Sequence, residues 1–190
     1  MHIKDWITLI LLAAVWGSAF MFIKIAAPDL GPVMLVTVRL YLAGLLFIPF
    51  LLQKKYLKLF KSHFISIFIL GIMNNALPFT MFAYASLGAN SNMLAILNGT
   101  TALMTTVLAY FWLMNRVSYL QAAGLLLGFL GILVLVNPAN ASTTFVSSIA
   151  CLVGAFCYAF CGCYIQSYAS NLNAFVMIGW SMFFLSLIHI

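Results

Sequence analysis

The chain contains no glutamate, and its two acidic residues, Asp5 and Asp29, both fall outside its long apolar runs. Proton relays and cation sites in membranes usually rely on intramembrane carboxylates, so a proton-coupled exporter of cationic drugs is disfavoured. Charge of either sign is scarce. Only 5% of the 190 residues are charged, against about a quarter in a soluble domain. No acid, base and nucleophile cluster together, which argues against an enzyme. Disulfides are excluded by placement. All four cysteines, Cys151, Cys157, Cys161 and Cys163, lie in one apolar run, with none in a loop. Cys157 and Cys161 are one helical turn apart, but no His, Asp or Glu on the same run completes a metal site, so they read as small packing residues. No metal and no cofactor are expected.

What the chain has in abundance is apolar surface: 66% of it is hydrophobic, with a mean hydropathy of +1.17. A hydrocarbon layer of roughly 30 Å takes about 20 apolar residues per helix. Candidate spans fall at 6–27, 32–52, 64–86, 91–114, 118–136, 148–169 and 174–190. Barrel strands would run about 10 residues with apolar and polar positions alternating, and nothing here alternates that way. The expected fold is therefore an all-α polytopic membrane protein of about seven transmembrane helices. The first run is about twice the usual core of a secretory signal and lacks a small-residue cleavage site, which argues against a cleaved leader.

Basic residues set the expected orientation, because Lys and Arg in short loops stay on the cytoplasmic side. Lys4 precedes the first span, segment 53–63 holds Lys54, Lys55, Lys58 and Lys61, and Arg116 lies between the fourth and fifth spans. These all fall on one side. The opposite loops, 28–31, 87–90 and 137–147, hold no Lys or Arg. The amino terminus is thus expected in the cytoplasm, with the chain multi-pass in the cell (inner) membrane. The formal net charge of +6 is a topology signal and implies no nucleic-acid partner, since the lysines lie along one short loop without a base-stacking face. Asn140 and Ser142 form a formal glycosylation sequon in an outside loop, read as chance.

Two cations remain inside spans, Lys24 and Arg39. An ionisable residue in a membrane costs about 2.5 to 3.5 kcal/mol even on a lenient scale, so each is a candidate for function. For Lys24, near a helix end, snorkelling to the headgroups and contact with solute stand equal. Arg39 lies about two turns into its helix, which favours an inward role. Asn74 and Asn75 occupy the middle of the third span with Pro78 one turn on, where an interrupted helix would line protein or water. In the fourth span Asn98, Thr101 and Thr105 share a face. Interhelical hydrogen bonds, worth about 0.6 kcal/mol each, are the alternative for any of these.

The segment Val15-Trp16-Gly17-Ser18-Ala19-Phe20 with Lys24, and Arg39-Leu40-Tyr41-Leu42-Ala43-Gly44 in the next span, resemble the opening of the EamA family of the drug/metabolite transporter superfamily. Asn98-Gly99-Thr100-Thr101 and Asn115-Arg116-Val117-Ser118, followed by Gln121, Gly124 and Gly131, are similar to its fourth and fifth helices. Ala102 stands where members commonly carry Pro, and Asn115 where they carry Glu. The resemblance implies a ten-helix permease of two inverted five-helix repeats around a central cavity that moves small metabolites, often amino acids.

Sliding the chain by 142 residues sets Trp16 against Tyr158, Lys24 against Gln166 and Arg39 against Ser181, with identities at Ile23/Ile165, Ala27/Ala169 and Leu30/Leu172. The expected organisation is one complete five-helix repeat over 1–136, an outside loop at 137–147, and at 148–190 the first two helices of a second repeat, inverted because five is odd. The expected function is that of a membrane permease, an exporter or facilitator for amino acids or other carboxylate-bearing or zwitterionic solutes. Trp16, Lys24, Arg39, Asn74, Asn98 and Thr101 are the expected cavity residues, with plain packing the alternative for Trp16. The expected partners are the lipid bilayer and a small-molecule solute. The alternative is a truncated or partner-dependent membrane subunit without transport of its own, completed by a homo-oligomer or a second chain.

Overall fold

A computed structural model describes residues 3–136, 144–170 and 172–188, and among them every element is helical. The first helix, α1 (Ile3–Leu30), turns into α2 (Pro32–Leu51) through Gly31 alone. Gly31 has φ 77°, which glycine adopts without a Cβ penalty, and Pro32 then supplies a first-turn residue that needs no N–H partner. A short helix α3 (Lys54–Ser62) precedes α4 (Phe64–Gly71). One π-helical turn, Ile72–Ala76, joins α4 to α5 (Leu77–Gly88), so Phe64–Gly88 is one continuous rod. Asn74, Asn75 and Pro78 therefore widen the helix rather than break it.

The remaining helices start on side-chain caps that satisfy otherwise unpaired N–H groups. Asn90 Oδ1 accepts from Met93 N (2.9 Å) to begin α6 (Ser91–Trp112). Ser118 and Gln121 cap each other reciprocally at the start of α7 (Tyr119–Val136): Ser118 N donates to Gln121 Oε1 (3.0 Å) and Gln121 N to Ser118 Oγ (3.3 Å). Thr144 Oγ1 accepts from Ser147 N (3.2 Å) to begin α8 (Phe145–Tyr164), which ends in a second π turn, Ile165–Ala169. The last helix is α9 (Ala174–Ile188). His2, the sequon at Asn140 and Ser142, and His189 lie outside the described residues.

Five of these rods, Ile3–Leu30, Pro32–Leu51, Phe64–Gly88, Ser91–Trp112 and Phe145–Ala169, are long and apolar enough to cross a bilayer, and α7 and α9 carry shorter apolar stretches. Their outer faces are apolar too: Leu46 is 76% exposed and Phe111 73%. A surface of that kind suits lipid, not water. The protein is an all-helical polytopic membrane protein.

Lipid tails match the apolarity of the side chains, so helices associate by close packing at small residues rather than by escape from water. In α8 the buried residues are small: Ala150, Cys151, Gly154, Ala155, Cys157, Ala159, Cys161 and Cys163. That face lets α8 slot between α5 and α6, and the four free cysteines are part of its packing surface. At Gly154 a Cβ would lie 2.8 Å from the buried Phe82 ring. The amino end of α8 is tied to the end of α5, where Thr144 N donates to Gly88 O (3.0 Å). In the same way α9 lies along α2 and α4. Gly44 and Gly179 bring α2 and α9 together, and a Cβ at Gly44 would come within 3.0 Å of Phe183 Cα.

Candidate functional site

Helices α1, α2, α5, α6 and α8 border a half-open cavity of about 140 Å³. Trp16, Phe20 and Ile23 of α1 form one wall, Arg39 of α2 a second, and Phe79 and Phe82 of α5 the floor. Asn98 of α6 and Tyr158 of α8 close it. Three of the six expected residues, Trp16, Arg39 and Asn98, thus meet in one place.

The aromatic rings hold one another. Tyr158 stacks on Phe82 (centroids 6.1 Å apart, planes 17°) and meets Phe79 edge-on (6.5 Å, 67°), while Phe20 contacts Phe82 edge to face (5.7 Å, 61°). Such pairs are worth about 0.5–1.5 kcal/mol each beyond area, so the floor is set before any ligand arrives. The Arg39 guanidinium carbon sits 4.9 Å from the Phe79 ring centroid, a cation–π contact. No carboxylate among the described residues pairs with Arg39: Asp5 lies in the first turn of α1 and Asp29 in its last. The positive group is therefore oriented by an aromatic face and retains its N–H donors for another partner. Val15, Ala19, Ile23 and Arg39 also border a second hollow of about 450 Å³ between α1 and α2, so Arg39 stands at the wall between the two.

The other expected residues lie elsewhere. Lys24 Nζ donates to Ser86 O (2.6 Å). That carbonyl belongs to the last turn of α5, where carbonyls lack intrahelical partners and the helix dipole is negative. Lys24 thus caps α5 and locks α1 to it. Asn74 is partly buried in the π turn, and its neighbour Asn75 reaches across instead, with Nδ2 donating to Ser181 Oγ of α9 (2.9 Å). Thr101 Oγ1 is buried and finds no hydrogen-bond partner among the described residues, and Thr101 does not line the cavity. Thr105 turns its hydroxyl back onto Thr101 O (2.7 Å).

Sequence reasoning missed Phe20, Phe79, Phe82 and Tyr158. For Tyr158 a signal existed: it is the 142-residue partner of Trp16. A larger groove of about 890 Å³ runs between α6 and α7, with Asn115, Arg116 and Gln121 at one end and Gly124 and Gly128 along it. It is open, borrows nothing from α1, α2, α5 or α8, and converges no buried polar groups.

Three relatives of the chain are named as transporters. The chain is 25% identical over 139 residues to an uncharacterized transporter of Archaeoglobus fulgidus, covering 73% of this chain and 50% of the relative. It is 24% identical over 132 residues to the uncharacterized transporter YoaV of Bacillus subtilis, covering 69% and 45%. An uncharacterized transporter of Buchnera aphidicola subsp. Schizaphis graminum is 24% identical over 119 residues, covering 62% and 39%. The chain thus spans about half the length, or less, of the curated relatives it matches. No solved structure matches it. The sequence model of the EamA-like transporter family matches residues 4–137, which include α1 to α7 and every cavity residue except Tyr158; with that match and these helices, the chain belongs to the EamA-like transporter family.

Proposed function

We propose that this chain is part of a permease, exporter or facilitator, for small solutes that carry a carboxylate or are zwitterionic, and that the aromatic cavity receives them. The observation that carries this reading is Arg39, held against Phe79 in a cavity wall with no carboxylate among the described residues to neutralise it. Arg39 takes the anionic group as a fork of donors, Asn98 orients the solute, and Trp16, Phe79, Phe82 and Tyr158 cover its apolar part. A cavity of about 140 Å³ is of the order that holds a molecule the size of benzene, which suits a small metabolite.

The repeat reading gains support from geometry. At the 142-residue offset the start of α2, Pro32, coincides with that of α9, Ala174. Offset partners also do related work. Trp16 and Tyr158 line one cavity, while Arg39 meets Phe79 and Ser181 meets Asn75, one turn apart on the same rod. We take α1 to α7, with α3 as an insertion, as a five-span unit, and α8 and α9 as the opening of an inverted second unit, with the amino terminus in the cytoplasm of a multi-pass cell (inner) membrane protein. The chain matches about half of each of two relatives, and a membrane subunit without transport of its own is the second reading.

Binding is tested by thermal unfolding of the purified protein with a panel of small acids, amino acids and amines. Acids or amino acids at 100 times their Kd should add about 2.7 kcal/mol of stability. Stabilisation by lipophilic cations alone would overturn the solute class. Orientation is tested separately: a reporter active only outside the cytoplasm, fused at Lys58, should be silent, and activity there would reverse the topology.

A further inference from the structure

We propose that α3 is a membrane-surface helix whose lysine row binds the headgroups of anionic phospholipids. Segment 53–63 reads as a basic loop, yet Lys54–Ser62 forms a helix with two sorted faces. At 100° per residue, Lys54, Lys55, Lys58 and Lys61 fall within one arc of about 120°, and Tyr56, Leu57, Leu59 and Phe60 fill the opposite side. All four lysines are exposed, and the four apolar residues are partly buried. The apolar side is already occupied. Those residues pack on Leu51, Ile67, Val176 and Trp180, and Phe60 stacks on the Trp180 ring at 4.3 Å and 25°.

Position and charge name the occupant of the other face. Since α3 connects α2 to α4, both in membrane-crossing rods, it lies at a membrane surface, where phospholipid headgroups surround it. The helix contains no acidic residue, and the chain's two carboxylate side chains are on α1. A nucleic acid would need aromatic rings on the basic face for stacking, but Tyr56 and Phe60 are turned into the bundle. A row of exposed ammonium groups, of which Lys55 Nζ lies 5.9 Å from the Tyr56 ring centroid, on a helix anchored at the bilayer surface complements phosphate-bearing lipid. Because Phe60 clamps Trp180, lipid that holds α3 also holds α9 in place.

The test compares lipid retained by the purified protein from a one-to-one mixture of phosphatidylglycerol and phosphatidylcholine, counted by native mass spectrometry. A lysine near an anionic surface contributes about fivefold in affinity. The wild type should enrich phosphatidylglycerol at least tenfold, and the enrichment should fall as salt is raised. The variant with Lys54→Gln, Lys55→Gln, Lys58→Gln and Lys61→Gln should lose it, whereas the four corresponding Lys→Arg changes should retain it. Unchanged enrichment in the glutamine variant would overturn the proposal. So would salt-independent enrichment, or displacement of the lipid by millimolar inorganic phosphate, which would mark a generic anion site. Should the glutamine variant fail to fold, salt dependence in the wild type and retention in the arginine variant decide the matter alone.

Discussion

Arg39→Gln should weaken binding of a carboxylate solute roughly 10- to 150-fold while leaving the fold intact. A hydrogen bond to a charged partner contributes about 1.5–3 kcal/mol, and each 1.4 kcal/mol is tenfold in affinity. Folding is expected to respond differently, because two opposing quantities set it. Loss of the contact with Phe79 costs about 0.5–2 kcal/mol, but removal of an intramembrane charge saves about 2.5–3.5 kcal/mol on the insertion scale. Thermal stability without ligand should therefore hold or rise. Arg39→Lys should bind with intermediate affinity, since it keeps the charge but loses the planar fork. The comparison with Lys24 sharpens the point. Lys24 donates to Ser86 O at the end of α5, so Lys24→Met loses a charged hydrogen bond of about 1.5–3 kcal/mol against the same saving in charge, and should leave both the unfolding temperature near that of the wild type and solute affinity within about threefold. Titration calorimetry and thermal unfolding on the three variants measure both quantities. Equal solute affinity in wild type and Arg39→Gln would remove Arg39 from the site.

The other large effect concerns the α2–α9 crossing. Gly44→Leu should dislodge α9, because a Cβ at position 44 would stand 3.0 Å from Phe183 Cα and 3.2 Å from Phe183 N, and backbone cannot step aside as a side chain can. Overpacking of this kind costs typically 1–3 kcal/mol. Separation of the helices would also break the Asn75–Ser181 bond and open the Phe60–Trp180 stack. At about 2–4 °C per kcal/mol for a chain of this size, the unfolding temperature should drop by roughly 2–12 °C. Gly17→Leu is the control. Nothing lies within 4 Å of a Cβ at Gly17, and leucine favours helix over glycine, so this change should be neutral or slightly stabilising. Equal losses at both positions would show that something other than the close approach at Gly44 matters.

These two residues illustrate how unevenly the sequence speaks. Arg39 stood out because a charge in an apolar run is costly wherever the helix points, Asn98 because it shares a polar face with Thr101 and Thr105, and Trp16 came with a family motif. Gly44 did not stand out, for a glycine in a membrane helix can meet open space, as Gly17 does, or a neighbouring backbone. Between Asn74 and Asn75 the sequence offers no choice, since both are polar and adjacent. The π turn rotates Asn75 toward Ser181. The basic segment 53–63 read as a loop because its nine helical residues are too short to span and are dominated by lysine. Its folding depends on Trp180, more than a hundred residues away, which gives Phe60 a partner.

Composition and hydropathy alone determined the class of the protein, the place of its spans and the segregation of basic loops, because the cost of transferring about 20 residues into hydrocarbon is a local sum that needs no partner. Only the tertiary structure decided which side of each helix faces which neighbour. A span that is apolar all round carries no periodic signal to fix its rotation, so the convergence of Phe20, Phe79, Phe82 and Tyr158 on Arg39 follows from the packing of small residues on α8 and not from any pattern within a single helix.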